Sequence, residues 1–114
     1  MAFSDSELQK IDKLIGDRFR KRVPPEIQNE LRNEVRIEGQ NVFIAEVRPR
    51  WDKPDEWLSP DFAKLRYIRS QYIWKLHWKR ANDKLEYYPP KGKAKNLKKL
   101  ADVIDQDQYG AFWG

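Results

Sequence analysis

Cysteine is absent from this sequence of 114 residues, which has one histidine and one methionine. Disulfides, thiolate zinc sites and cysteine nucleophiles are therefore excluded, and a reducing compartment is the natural location. The first residues, MAFSDSELQK, lack the apolar core of a signal peptide, and no run approaches the roughly 20 apolar residues of a membrane span. We expect a cytoplasmic protein with no membrane segment.

Catalytic and metal-binding motifs are equally scarce. His77 is the only histidine, so a transition-metal site would depend on one imidazole and carboxylates, and no serine lies in a nucleophile elbow. Carboxylates cluster in sequence around residues 46 to 61, without the spacing or the glycine of a calcium loop. These residues are Glu46, Asp52, Asp55, Glu56 and Asp61. We predict no catalytic, cofactor or metal site.

Charge is abundant and unevenly distributed. Charged residues form 36% of the chain and the net charge is +5. The segment 59–99 carries twelve basic and three acidic residues, an excess of +9. Such a segment attracts an anionic partner, for example nucleic acid or an acidic protein.

The first half of the chain predicts a helix and a hairpin. Ser4 and Glu7 form a capping-box pattern, and apolar residues follow at helical spacing until Pro24. From Leu31 the period changes to two, Gly39 supplies a turn, and VFIAEV is the partner strand. The register stays open, because Ile37 faces either Val42 or Phe43, and this choice decides the side of Glu46 and Arg48.

Three more strands follow in the second half, in AKLRYIR, YIWKLHWKRA and KLEYY, and Asn96 begins a last helix. The whole chain, 1–114, is predicted to be one α+β domain. It has a five-stranded antiparallel meander with an N-terminal and a C-terminal helix packed on one face. An exposed edge strand would also allow a homodimer.

The third and fourth strands carry the first candidate site. If they pair, basic side chains project together from the face opposite the helices. These residues are Lys64, Arg66, Lys75, His77 and Lys79. Such a face suits a phosphate backbone, although Glu34, Glu46 or Glu86 could balance its charge. Tyr67, Trp74 and Trp78 are expected in the core, which leaves Phe62 and Tyr88 as the rings for the charged side and makes base stacking poor.

The segment KGKAKNLKK, 91–99, is the second candidate. It would surround the start of the last helix with Lys91, Lys93, Lys95, Lys98 and Lys99. Asp102, Asp105 and Asp107 lie toward the end of that helix, opposite to the preference of the helix dipole. The alternative is a flexible, solvated linker.

The segment VRPRWDKPDEW, 47–57, is predicted to be a stiff connection between the second and third strands, because its prolines fix the backbone. We expect Trp51 and Trp57 to pin it onto the sheet edge or a helix end. The alternative is a protein interface, since tryptophan and arginine are common at hot spots. Its anchors would be Arg48, Arg50, Trp51, Trp57, Phe112 and Trp113.

Four motifs carry a family resemblance: IEGQ (37–40), RPRW (48–51), WKLHWKR (74–80) and FWG (112–114). Their order and spacing resemble a bacterial family of small proteins known as domain of unknown function 3024. The resemblance covers nearly the whole chain and implies a small bacterial domain. It implies no activity and no site residue.

The leading hypothesis is a non-catalytic binding module that uses residues 59–99 to engage an anionic partner. A second hypothesis is a protein adaptor that uses the 48–57 loop and the aromatic C-terminus. A small enzyme with a carboxylate and arginine site around the same loop is the weakest of the three.

Overall fold

The computed structural model describes residues 3–80, 82, 84–89, 92–107 and 112. The helical elements are α1 (Asp5–Ile11), a π-helical segment (Asp12–Asp17), α2 (Arg18–Arg20), two 3-10 turns (Pro25–Ile27 and Arg69–Gln71) and α3 (Leu97–Gln106). The strands are β1 (Arg32–Glu38), β2 (Asn41–Pro49), β3 (Trp57–Leu58), β4 (Asp61–Ile68), β5 (Ile73–Lys79), β6 (Leu85–Tyr87) and β7 (Lys93–Ala94). None of the helices in these ranges is long and apolar enough to cross a membrane.

Both predicted helix starts are confirmed. The Ser4 hydroxyl accepts a hydrogen bond from the Glu7 amide at 3.2 Å, and the Glu7 carboxylate accepts one from the Ser4 amide at 2.8 Å. Asn96 caps α3, because its side-chain oxygen accepts from the Lys98 amide at 2.9 Å. These caps satisfy amides that the first helical turn leaves without a partner.

The sheet is antiparallel and its strands follow the order β1-β2-β4-β5-β6. The predicted α+β class and the five-strand meander are therefore confirmed. The predicted strand count is wrong, because β3 adds to β2 and β7 adds to β5. Each extra strand has two residues, too few to produce a recognisable period in the sequence. The helices also differ in placement, since α2 contacts β1 at one end of the meander and α3 contacts β5 and β7 at the other.

The register of the first hairpin is settled by the pairing of Ile37 with Val42. The same pairing places Glu46 opposite Asn33, whose side chain is buried and donates to the Phe19 carbonyl at 3.0 Å. Glu46 therefore lies on the helix side of β2. Its carboxylate forms an ion pair with Arg48 at 3.5 Å.

One hydrophobic cluster joins the helices to one face of the sheet. Its fully buried members include Ile15, Phe19, Ile44, Leu65, Leu76, Leu100 and Ile104. Trp74 is buried, and Tyr67 and Trp78 pack against the cluster, as the sequence predicted. The prediction that Tyr88 and Phe62 lie on the charged side is wrong, because Tyr88 is buried in this core and Phe62 packs against it. The reason for Tyr88 is that its ring fits between those of Trp78 and Phe112.

Ion pairs between the helices explain the acidic end of α3. Arg18 lies 2.7 Å from a carboxylate oxygen of Asp102 and 2.7 Å from one of Asp105. Asp105 also pairs with Arg22. Carboxylates that oppose the helix dipole are therefore compensated by arginines from the first helical stretch.

Candidate functional site

A row of three cations crosses three neighbouring strands. Arg66 on β4 lies opposite Lys75 on β5, and Lys75 lies opposite Lys93 on β7. Residues directly opposite in an antiparallel pair share a face, and adjacent strands lie about 4.8 Å apart. The three positive charges therefore project from the same side of the sheet, opposite the core.

A second row runs beside the first. Lys64 on β4 lies opposite His77 on β5, which lies opposite Tyr87 on β6. Phe43 on β2 lies opposite Lys64 on its other side. We call the five basic residues of the two rows the basic face: Lys64, Arg66, Lys75, His77 and Lys93. By strand alternation, Lys79 lies on the same side at the next position along β5.

The basic face is not neutralised by the described carboxylates. Lys64, Arg66, Lys75 and Lys93 form no ion pair with any acidic side chain in the described ranges. The glutamates that could have balanced them are engaged with arginines elsewhere. These ion pairs are Glu34 with Arg32 at 2.7 Å, Glu46 with Arg48 at 3.5 Å, and Glu86 with Arg80 at 3.1 Å.

His77 is half-buried within this positive surrounding. Burial lowers the pKa of His77, and the nearby charge of Lys64 lowers it further, whereas a hydrogen bond with the Lys75 backbone opposes part of this shift. Burial and the charge of Lys64 both disfavour the imidazolium ion. Because its pKa lies below the ordinary value of about 6.5, His77 is uncharged at neutral pH.

Two aromatic rings accompany the charges, and they are Tyr87 and Phe43 rather than the predicted Phe62 and Tyr88. The Tyr87 side chain is 41% exposed. Its ring meets His77 edge-on with centroids 6.1 Å apart, and the Lys75 ammonium lies 5.9 Å from its centre. The Arg36 guanidinium lies 4.5 Å from the Phe43 ring centre. Sequence reasoning missed both rings because the hairpin register was open and β6 was not aligned with β5.

The structure separates the lysines of the second candidate. Lys93 joins the basic face, whereas Lys95 lines a cavity of about 150 Å³ on the helix side, with Glu7 and Trp74. Lys98 pairs with Asp102 at 3.4 Å and Lys99 is exposed. Lys91 lies outside the described residues. Lys95, Lys98 and Lys99 therefore lie at the start of α3, whereas Lys93 belongs to the basic face.

The loop within the segment 47–57 is shorter than predicted, because both ends of the segment belong to strands. Val47 to Pro49 belong to β2 and Trp57 begins β3, so the loop proper is 50–56. Arg50 holds this loop together. Its guanidinium donates to Asp52 at 2.8 and 3.0 Å and to Glu56 at 3.2 Å, and its amide donates to the Glu56 carbonyl at 2.8 Å.

The expected role of the two loop tryptophans is wrong for Trp51, which is 94% exposed and pins nothing. Internal hydrogen bonding through Arg50 makes such an anchor unnecessary. Trp57 is 42% exposed, with the Arg32 guanidinium 4.8 Å from its ring centre. Phe112 is buried in the core, and Trp113 lies outside the described residues. The predicted interaction anchors are thus divided between surface and core.

Carboxylates near the loop are held by arginines. Asp61 pairs with Arg36 at 3.0 Å, and Asp52 with Arg50 at 2.8 Å. In the described part of the chain, no three histidine, aspartate or glutamate side chains are grouped so that they could hold a metal ion. A cavity of about 280 Å³ lies between the Pro25–Ile27 turn and the first hairpin, and Arg22, Asn33 and Glu46 contribute to its lining.

These features define a small α+β domain whose open sheet face concentrates positive charge. The chain belongs to the family described as a domain of unknown function (DUF3024), whose model matches residues 3–114. The resemblance inferred from the tryptophan-bearing motifs is therefore confirmed. No curated protein and no solved structure matched the chain in our searches.

Proposed function

We propose that this protein is a non-catalytic binding module that engages an anionic partner, nucleic acid in the first place, through the basic face. The observation that carries the proposal is the row Arg66, Lys75 and Lys93. Like charges directly opposite each other destabilise a sheet. A polyanion lying across the row would turn this repulsion into attraction and release its own counterions.

Nucleic acid is favoured over an acidic protein because rings lie beside the charges. Tyr87 is partly exposed next to Lys75 and His77, and Phe43 lies opposite Lys64. Single-strand binders combine a positive groove with aromatic side chains on which bases stack. A single strand could therefore place phosphates on the Arg66, Lys75 and Lys93 row and a base on Tyr87. We place this activity in the cytoplasm, in keeping with the absence of cysteine.

The test is binding of fluorescent single- and double-stranded DNA and RNA of about 20 nucleotides, followed by anisotropy at about 50 and about 200 mM salt. We expect binding at low salt that weakens steeply as salt rises. The double variant Arg66→Gln/Lys75→Gln should reduce the slope of log affinity against log salt by about 2.

The matched control is Lys13→Gln/Lys21→Gln, which removes the same charge from two exposed residues of the first helical region. This control should keep most of the affinity. Absence of binding to all four nucleic acids at low salt would end the nucleic-acid proposal. Binding of an acidic polypeptide such as polyglutamate in the same assay would then identify an acidic protein as the partner.

The exposure of Trp51 favours a second candidate function, a protein adaptor. Its ring projects from a loop that Arg50 makes rigid, and a rigid exposed tryptophan is a common interface anchor. Trp57 and Leu58 extend this surface, as both are more than 40% exposed. Binding of a partner protein that is lost in Trp51→Ala but kept in the Arg66→Gln/Lys75→Gln variant would support the adaptor function.

A further inference from the structure

The strand β1 is the long open edge of the sheet. Among the described residues, β1 pairs with β2 alone. Apart from its bonds to β2, the backbone of residues 32–38 forms no hydrogen bond with the backbone of another described residue. The strand has seven residues with no proline, glycine or bulge, whereas β6 at the other end has three. An edge of this kind offers a row of backbone donors and acceptors to another strand.

Charged residues on the two sides of the centre of β1 have opposite signs at equal distances from it. The sequence is RNEVRIE, in which Arg32 and Glu34 precede Val35 and Arg36 and Glu38 follow it. These four charged residues share the solvent side of the strand, where they form the ion pairs Arg32 with Glu34 and Arg36 with Glu38. Charges usually protect an edge strand because a partner strand would bring like charges together.

We propose that β1 pairs antiparallel with β1 of a second copy of this chain, centred on Val35. In this register Arg32 lies opposite Glu38 of the second copy, and Glu34 lies opposite Arg36. All four cross-strand contacts between charged residues join opposite signs, which is the favourable arrangement in an antiparallel pair. The interface is self-complementary, as a two-fold symmetric dimer requires.

The core side of β1 fits the same register. Val35 would face Val35, and Ile37 would face Asn33 of the second copy. Ile37 is 37% exposed, whereas Asn33 is buried beneath the first helical stretch, where it donates to the Phe19 carbonyl at 3.0 Å. The helix that covers Asn33 in one copy thereby approaches Ile37 of the other and covers its exposed side chain.

A symmetric pair would also align the two sheets. The two-fold axis of an antiparallel strand pair of this kind is perpendicular to the sheet, so corresponding faces of both copies lie on the same side. The two basic faces would then form one surface. Use of this joint surface to bind an anionic partner rests on the proposed function. The pairing of the two copies depends on β1 alone and can be tested separately.

The experiment measures the mass of the intact chain by sedimentation over about 5 to about 500 μM, since self-association depends on protomer concentration. We expect a shift toward twice the 13.8 kDa monomer. Glu34→Arg and Arg36→Glu each place like charges opposite each other twice in a symmetric pair. Each variant alone should dimerise about tenfold or more weakly.

Mixing the two variants is the decisive step, because Arg at 34 of one chain then faces Glu at 36 of the other. We expect the mixture to recover the dimer. The pair Arg32→Glu and Glu38→Arg repeats the test if Arg36→Glu, which loses the contact with Asp61, does not fold. A monomer at every concentration overturns the proposal and leaves the edge to solvent or to another protein's strand. Dimers that persist unchanged in both single variants also overturn it.

Discussion

Lys93 lies directly opposite Lys75 in the antiparallel pair of β7 and β5, and both belong to a sheet whose opposite face is the core. Two lysines in this position repel each other, and the next residue in the row is Arg66. Positions where a local rule is broken without a compensating partner are frequently functional. The arrangement gives up stability that an anionic partner would return.

Removal of this repulsion should not destabilise the protein. We expect Arg66→Gln/Lys75→Gln to keep or raise the melting temperature. The free energy of unfolding should rise by up to a few tenths of a kcal/mol, because each pair of like charges directly opposite each other costs about that much. Thermal unfolding at low salt measures it. A fall of several degrees would mean that these side chains stabilise the sheet by packing, and the stability argument for a partner would be lost.

The pKa of His77 predicts how binding depends on pH. In the unbound protein, burial and the positive charge of Lys64 lower this pKa, whereas a bound polyanion raises it by favouring the imidazolium ion. Affinity should therefore increase as the pH falls from about 7 to about 5 at constant ionic strength. His77→Gln should remove this increase. Equal pH dependence in the variant and the wild type would show that another group is responsible.

Gly92 should be needed to hold Lys93 in its place beside Lys75 in the row of cations. A Cβ atom at residue 92 would lie 2.1 Å from the Tyr88 backbone oxygen, and the Gly92 carbonyl accepts from the Leu76 amide at 2.6 Å. Neither backbone can yield easily, so Gly92→Ala should destabilise the fold by about 1 to 3 kcal/mol. It should also weaken anion binding, because β7 positions Lys93.

A control for this substitution is Gly39→Ala at the β1–β2 turn. Its backbone has φ +59°, and a Cβ there meets nothing within 4 Å. Gly39→Ala should cost about 1 kcal/mol through backbone strain and leave anion affinity unchanged. Equal loss of anion affinity in both glycine variants would contradict the role assigned to β7.

The link between the helices predicts sensitivity to acid. The hydrogen bond from Arg18 holds the pKa of the Asp102 carboxyl below its ordinary value. A carboxyl whose pKa is lowered by folding contributes stability above its unfolded pKa of about 3.9 and loses it as the pH falls through the folded value. Asp102→Asn should thus lower the melting temperature by a few degrees at pH 7, and this difference should shrink as the pH falls below about 4. A constant difference across this range would exclude the ion pair as the cause.

Exposure predicts opposite outcomes for two tryptophans. Trp51→Ala should leave the melting temperature within about 1 °C, because a 94% exposed ring contributes little burial. Trp74→Ala should unfold the protein or lower its stability by about 3 to 5 kcal/mol, since its buried ring stacks 5.6 Å from that of Phe3. Circular dichroism during heating measures both. Strong destabilisation by Trp51→Ala would reverse the assignment of Trp51 to the surface.

Local pattern was enough to predict the helix starts and the five longer strands. Ser4 and Asn96 identify helix starts because their side chains bond to neighbouring amides. Alternation along Ile73–Lys79 identifies a strand with its tryptophans on the core side, because opposite faces of a strand alternate with every residue. These features depend on residues close in sequence, so no knowledge of distant partners is needed.

Partners distant in sequence were decided by tertiary structure alone. Lys93 meets Lys75 only because a two-residue strand, too short for any periodicity, is added beside β5. Tyr88 enters the core and Tyr87 the charged side because of the pairing of β6 with β5, and Arg18 neutralises Asp102 across 84 positions of sequence. The sequence by itself determined the two helix starts, the five longer strands and the concentration of positive charge in 59–99. Only the tertiary structure decided which basic residues lack a carboxylate partner within the described part of the chain, because neutralisation depends on distances between elements rather than on composition.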